Sequence, residues 1–162
     1  MVTPFPWVYQ YEEDGPRLGA VVLRPVVSVA LVGVEVSNPA YALVDSGSSH
    51  VLAAPHLADA IGVEPRSSNR SLVLGMGGDN IRVRFVDIRV RLLAPSGDED
   101  DYIEWEDEVG FVSTWRPTWP VLLGQNAFMK RFTVTMSLHA QALAVEDLEI
   151  FDSRFGIQTM RG

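Results

Sequence analysis

From Ile81 to Leu92 the chain alternates apolar and polar residues, and partway along the phase of that alternation flips. Ile81, Val83 and Phe85 occupy odd positions, whereas Val86, Ile88, Val90 and Leu92 occupy even ones. Successive side chains on a strand point to opposite faces, so a flip in phase means that the buried face changes. The segment predicts a long strand with a bulge at Phe85–Val86, or a bend where it leaves one layer for another. A strand with a mobile tip and a buried base has this pattern.

Other short apolar runs also read as strands. Val21 to Val36 is rich in valine but broken by Pro25, Ser28 and Gly33, which predicts a hairpin or two short strands, with a turn at Asn38-Pro39 beyond. Tyr41–Val44, Val51–Ala53 and Ser71–Leu74 follow, then Tyr102–Val112 and the fully apolar run from Pro120 to Gly124. Phe132, Val134, Met136 and Leu138 alternate, and Ala142–Val145 is expected to pair back onto them. Gly75-Met76-Gly77-Gly78-Asp79-Asn80 reads as a hairpin tip. Helix signals are few. Pro55 to Ile61 has proline in its first turn and Gly62 just beyond, with Leu57, Ala60 and Ile61 on one face. Gln125 to Lys130 predicts one or two turns capped by Asn126. The class is all-β with one or two short helices.

A length of 162 residues fits one domain with a real core. There is no cysteine, which removes disulfides, thiolate nucleophiles and Cys-ligated metals. The net charge of −8 is concentrated: eight acids and no base lie between Asp98 and Glu108, leaving 13 acids to balance 13 Lys and Arg elsewhere. No basic stripe exists, so nucleic acid is not an expected partner. Residues 98–108 read as an acidic insertion in a strand connection, a solvated loop without the alternating pattern of a calcium site. Met1 to Gly15 lacks the basic and apolar regions of a signal peptide, and Ala20–Val36 is too short and broken to span a membrane. The expectation is a cytoplasmic protein with no membrane partner.

The run from Ala42 to Leu52 sets Asp45-Ser46-Gly47 between two apolar flanks, holding one carboxylate at a strand end. A carboxylate in that setting is open to tuning by burial and neighbours. The tripeptide alone is weak, since chance supplies it in about one chain in 25 of this length. Three features recur in order: Ala42-Leu-Val-Asp-Ser-Gly-Ser-Ser, then Leu72-Val-Leu-Gly-Met-Gly-Gly, then Val121-Leu-Leu-Gly-Gln-Asn-Ala-Phe. In these the sequence resembles the retroviral-like (retropepsin-type) aspartic proteases, over roughly residues 20–145.

The resemblance implies a closed β-barrel with one active-site loop and one flap hairpin per chain. It implies an aspartic endopeptidase in which Asp45, Ser46 and Gly47 form the catalytic loop and no cofactor or metal takes part. Two carboxylates are needed, one as general base on a water and one protonated against the peptide carbonyl. The chain has a single Asp-Ser/Thr-Gly, because Asp152-Ser153 is followed by Arg154, so a homodimer is implied, with Asp45 and its mate on the two-fold axis. Under the same reading Ser46 bonds across to the other subunit, and Gly47 lets the backbone turn under the carboxylate. Ser48 donates to the outer carboxylate oxygen and so favours an acidic optimum. Leu122, Leu123 and Gly124 support the loop from beneath. Gly75, Met76, Gly77 and Gly78 form the flap that closes over a peptide or protein substrate. Val2–Tyr11 and Leu148–Phe155 are the candidates for terminal strands at the dimer interface.

Other readings compete. A non-catalytic, dimeric peptide-binding or scaffolding module of the same fold is the alternative function. A serine hydrolase using Ser48 or Ser49 with His50 is weaker, since adjacent strand residues face opposite ways. His50, His56 and His139 read as ordinary surface or helix-start residues. Trp105, Trp115 and Trp119 are expected to cover the core or a groove wall. Gly75-x-Gly-Gly is not a phosphate loop, because an alternating strand follows it.

Overall fold

Six strands close on themselves. The computed structural model describes residues 4–17, 19–34 and 36–156, and the barrel lies within them. Its staves are β4 (Val26–Val32), β5 (Ser37–Val44), β10 (Val121–Leu123), β6 (Val51–Ala53), β9 (Tyr102–Val112) and β8 (Asp79–Leu93), in that spatial order. Pairing of β8 back onto β4, from Val29↔Leu92 to Val32↔Arg89, completes the ring. β7 (Ser71–Met76) pairs with β8 alone and projects as a hairpin arm. Closure leaves little open edge around the barrel, chiefly along β5 beyond the reach of the short β10. This is the all-β architecture that the sequence implies.

The main core fills the barrel with Val29, Leu31, Val44, Val51, Val90, Leu92, Leu123 and Phe128 among others. A second, smaller cluster sits under the hairpin arm and comprises Leu52, Ile81, Val83, Phe85, Val112 and Leu122. These two clusters explain the phase flip in β8. Its odd residues up to Phe85 bury into the small cluster, and Ile88, Val90 and Leu92 bury into the barrel. Pairing with β9 runs from Val83↔Val112 to Leu93↔Tyr102 without a register shift. The strand therefore serves two layers, and the bulge offered as the other explanation does not occur.

A three-stranded sheet packs beside the barrel in the order β1 (Trp7–Gln10), β12 (Ala142–Asp147), β11 (Phe132–Ser137). Trp7 is among the most buried side chains of the molecule. The Tyr9 hydroxyl donates to the Leu93 carbonyl at 2.7 Å. Burial, with the Asp101 carboxylate adding to it, pushes that phenol far above its usual range, so Tyr9 serves as a fixed donor tying the two sheets together. A separate hairpin joins β2 (Glu12–Arg17) to β3 (Ala20–Arg24). The helices are α1 (Pro55–Ala60), a 3-10 turn (Pro65–Ser67), a π-helical turn (Gln125–Met129) and α2 (Leu148–Phe155). No helix among the described residues is long and apolar enough to cross a membrane.

Several local expectations need correction. Val21–Val36 does contain two strands split at Pro25, but they pair with other elements and not with each other, and Glu35 lies outside the described residues. Asn38-Pro39 is not a turn: Pro39 pairs opposite Ala30 inside β5, and the chain reverses at Gly33–Val36, where the Gly33 N–H donates to the Val36 carbonyl at 2.9 Å. β10 reaches only as far as Ala42 along β5, so the side of β5 at Pro39 opposite β4 is an edge and the missing N–H costs no ladder bond there. In α1 it is Ala58, with Leu57, that is buried, and Ala60 is exposed.

The acidic run is half strand. Tyr102–Glu108 belongs to β9, where Glu104 meets Arg91 at 2.6 Å and Arg89 at 3.2 Å, and Glu108 meets Arg70. Only the stretch before Tyr102 is a loop. Leu148–Phe155 is a helix and not a terminal strand, and Trp7–Gln10 is already paired with β12. Val2 and Thr3 lie outside the described residues.

Candidate active site

β5 delivers Asp45 to one end of the barrel, and β6 carries the chain away again. Those two strands do not pair with each other. β10 lies between them, parallel to β5 through Leu122↔Leu43 and antiparallel to β6 through Leu122↔Leu52. The loop from Asp45 to His50 thus straddles the end of a buried, apolar strand. The Asp45 N–H donates to the Leu123 carbonyl at 3.0 Å, which fixes where the carboxylate leaves the sheet.

The loop is held from both sides. Within it, the Ser48 N–H donates to the Asp45 carbonyl at 3.1 Å, and the Gly47 N–H donates to Asp45 Oδ1 at 2.9 Å. The second bond is an Asx turn, which orients the carboxylate and gives one oxygen a partner. Gly47 has no left-handed φ. Its contribution is space, because a Cβ there would stand 3.1 Å from Asp45 Oδ1.

From beneath, the first residues of the π-helical turn grip the loop's carbonyls. The Gln125 N–H donates to Ser48 O at 2.8 Å, the Asn126 N–H donates to Ser49 O at 3.2 Å, and Gln125 Nε2 donates to Ser46 O. Helix starts have N–H groups with no internal partner, and here the active-site loop satisfies them. Gly124, not Asn126, caps this turn. At Gly124 the backbone passes so close to the loop that a Cβ would stand 2.6 Å from Ser48 O and 2.7 Å from His50 N. Ordinary van der Waals contact is not available there to any larger residue.

Leu122, Leu123 and Ser48 lie as follows. Leu123 is buried in the barrel core, and Leu122 lies in the small cluster beneath the hairpin. Ser48 does not reach the carboxylate. Its hydroxyl donates to His50 O at 3.0 Å and accepts from His50 N–H at 3.3 Å, closing the exit of the loop into β6. No Ser–His pair forms either, since the His50 ring packs on Phe85 at 5.1 Å between centroids. His56 and His139 are exposed, and no cluster able to hold a metal occurs among the described residues.

Across from Asp45 stands the β7–β8 hairpin. Its tip pairs Met76 with Asp79 around Gly77 (φ 60°) and Gly78 (φ 90°). Two successive positive φ angles are what a type I′ turn requires. A cavity of about 390 Å³ separates tip and loop, lined by Asp45, His50, Leu52, Leu74, Met76 and Leu122 among others. Gly75 and Gly77 border it as well, whereas Gly78 completes the turn outside it. Asp45 is its only carboxylate among the described residues.

Arg116 pairs with Asp79 at 2.7 Å and ties the base of the tip to the 113–120 segment. In that segment Trp115 Nε1 donates to the Trp119 carbonyl at 3.0 Å, and Trp119 sits edge-on to Tyr41. Trp105 belongs to the main core, and Trp115 packs against the small cluster. Sequence reasoning missed Gln125 as a loop clamp and missed Leu52, Leu74 and His50 as cavity walls. The only signal for the first was its position immediately after Leu-Leu-Gly.

A barrel that holds one Asp-Ser-Gly turn over a buried Leu-Leu-Gly strand, beneath a glycine-tipped hairpin, has the retropepsin-like fold. Solved structures that are similar to the chain include two of retropepsin-like proteins. One is a retropepsin-like aspartic protease from Rickettsia conorii, with a TM-score of 0.49 and 15% identity over 90% of this chain and 96% of that one. The other is the retroviral protease-like domain of Ddi1 from Leishmania major, with a TM-score of 0.43 and 18% identity over 76% of this chain and 94% of that one. No protein-family model matches the sequence, and no curated protein does.

Proposed function

We propose that the chain is an aspartic endopeptidase whose dyad is Asp45 from each of two subunits. The observation that carries this reading is the placement of Asp45 alone on the floor of a cavity roofed by the glycine hairpin. One carboxylate cannot act as general base and general acid at once, so a second must come from another copy. In the dimer the two carboxyls share one proton, since like charges a few ångströms apart resist joint ionisation. The ionised member takes a proton from water as the water attacks the peptide carbonyl. The protonated member donates to the developing oxyanion, and the proton is then passed to the leaving amine.

The walls set the substrate class. Leu52, Leu74, Met76 and Leu122 offer apolar contact and no charged partner, which suits an extended peptide with apolar side chains beside the scissile bond. β7 pairs only with β8 among the described residues, so its free edge is available for backbone pairing with such a peptide. The glycine tip gives the hairpin the freedom to close.

The test is digestion of a mixed peptide library from pH 4 to pH 8 by the parent protein and by Asp45→Asn. Cleavage by the parent beside apolar residues, abolished in Asp45→Asn and strongest on the acidic side, is expected. Cleavage that survives Asp45→Asn rejects the reading.

A further inference from the structure

We infer that a second cavity, between the β7–β8 hairpin arm and the turn after α1, binds a phosphate monoester that ties the arm to the barrel. The cavity is separate from the one that Asp45 lines, and its test does not pass through the protease reading.

Charge pairing singles this place out. Arg24, Arg70, Arg89, Arg91, Arg116, Arg131 and Arg154 each pair with a carboxylate. Among the arginines whose side chains are described, that leaves Arg66, Arg82 and Arg84, and all of these line one cavity of about 420 Å³. Acids outnumber Lys and Arg in this chain by 21 to 13, so a guanidinium without a carboxylate partner is the exception. Their convergence on a single recess leaves local positive charge that an anion would neutralise.

The arginines reach the recess from two sides. Arg82 and Arg84 stand on β8, on the face opposite Ile81 and Val83, which bury in the small cluster under the arm. Arg66 belongs to the 3-10 turn that follows α1. The sides are held in place by the Ser68 hydroxyl, which donates to the Phe85 carbonyl at 2.6 Å, and by the Arg84 guanidinium, which donates to the Ser68 carbonyl at 2.9 Å. Arg84 is thereby aimed with its other donors free. No side-chain bond engages Arg66 or Arg82 among the described residues.

The walls select the ligand. A phosphate monoester carries about −1.5 to −2 charge at pH 7 and several terminal oxygens, which guanidinium forks bind in pairs. Asp59 and Glu64 also line the cavity, and the Glu64 carboxylate accepts from the Arg66 backbone N–H at 2.9 Å. Their charges disfavour a second anionic group, so the ligand carries one phosphate and not a chain of them. Pro65, Phe111 and Val112 supply apolar contact for the carbon group that bears it, in a volume suited to a small organic molecule. A phosphate held by Arg66 on one side and Arg82 and Arg84 on the other spans the gap between barrel and arm.

Calorimetric titration of the full chain near pH 7, at constant ionic strength, tests this with phenyl phosphate, a short phosphoserine peptide and phenol. One saturable site per chain for the phosphates and none for phenol is expected, and the tighter of the two phosphates identifies the source as a small molecule or a protein. Arg66→Gln and Arg82→Gln alter exposed side chains with no bond to lose. Each is expected to weaken binding roughly 10-fold or more with the far-UV spectrum unchanged, and either one suffices if the other misfolds. Arg89→Gln removes the same charge outside the cavity and is expected to leave binding within about twofold. Hydrogen exchange reads the tie, since amides of Ser71–Arg84 are expected to exchange more slowly in the complex. Failure of both phosphates to bind saturably overturns the inference. So does equal weakening by Arg89→Gln, or binding that leaves exchange in Ser71–Arg84 unchanged.

Discussion

Gly124→Ala puts one methyl group where the structure leaves no room for it. The added carbon would stand 2.6 Å from Ser48 O and 2.7 Å from His50 N, against main-chain atoms that cannot swing aside as a flexible side chain would. Relief to ordinary contact needs the loop and the start of the π-helical turn to part by roughly 1 Å. The bonds across that gap are Gln125 N–H to Ser48 O at 2.8 Å, Asn126 N–H to Ser49 O at 3.2 Å and Gln125 Nε2 to Ser46 O. Overpacking costs about 1–3 kcal/mol, and weakening such bonds adds about 1 kcal/mol. The expected loss is therefore about 2–4 kcal/mol. A domain holding about 5–15 kcal/mol survives that loss as a folded protein. Activity falls further, since a shift of about 1 Å in a reacting group costs roughly 100-fold. Urea denaturation gives the first quantity and peptide cleavage the second. Gly75→Ala is the control for the stability measurement alone, because a Cβ there meets nothing within 4 Å. A Gly124→Ala protein within about 0.5 kcal/mol of the parent refutes the reasoning, as that is the range of an unremarkable surface change.

Two further outcomes follow from other parts of the molecule. The Glu104 carboxyl is held below its usual range chiefly by the hydrogen bond from Arg91; desolvation, the next largest effect, opposes it, and the charges of Arg89 and Arg91 add to the lowering. A depressed folded value contributes stability above the unfolded value of about 4.3, and that stability is lost as pH falls through the folded value. Glu104→Gln is expected to cost less than about 1 kcal/mol at pH 7, given its open setting, with the difference from the parent shrinking in thermal melts as pH falls below the unfolded value. Separately, replacing Gly77 and Gly78 by alanine forces L-residues into two positive φ angles, costing about 1 kcal/mol or more each. Peptide cleavage is expected to slow with little change in the unfolding midpoint if the strain loosens the hairpin tip without opening the barrel.

Period and punctuation made much of the fold legible. The alternation in Ile81–Leu92 announced both the long strand and its change of face, and Pro55 with Gly62 announced α1. What misled was local propensity set against sheet closure. Asn38-Pro39 reads as a turn, but β5 accommodates it because the adjacent side carries no ladder bond there. Leu148, Phe151 and Phe155 have helical spacing, and the expectation of a terminal strand overrode a pattern already present in the residues.

The tight turn at Asp45–Gly47 and the apolar strand ending at Gly124 beneath it were legible because such a turn over an apolar strand restricts residue type. Ser48 was not, since a hydroxyl takes whichever partner the loop presents, and here the loop presents His50 backbone. Gln125 was hidden for a similar reason. Its grip on Ser46 O spans 79 residues and exists only once β10 has docked.

The claim that matters most is that two chains supply one carboxylate each. Parent protein and Asp45→Asn, mixed in equal amounts and allowed to exchange subunits, answer it through the cleavage rate. A shared dyad predicts activity near one quarter of the undiluted parent, because random pairing leaves about that fraction of dimers with two aspartates. A rate of one half, linear in the parent fraction across the titration, would show that each chain acts alone and would contradict the account.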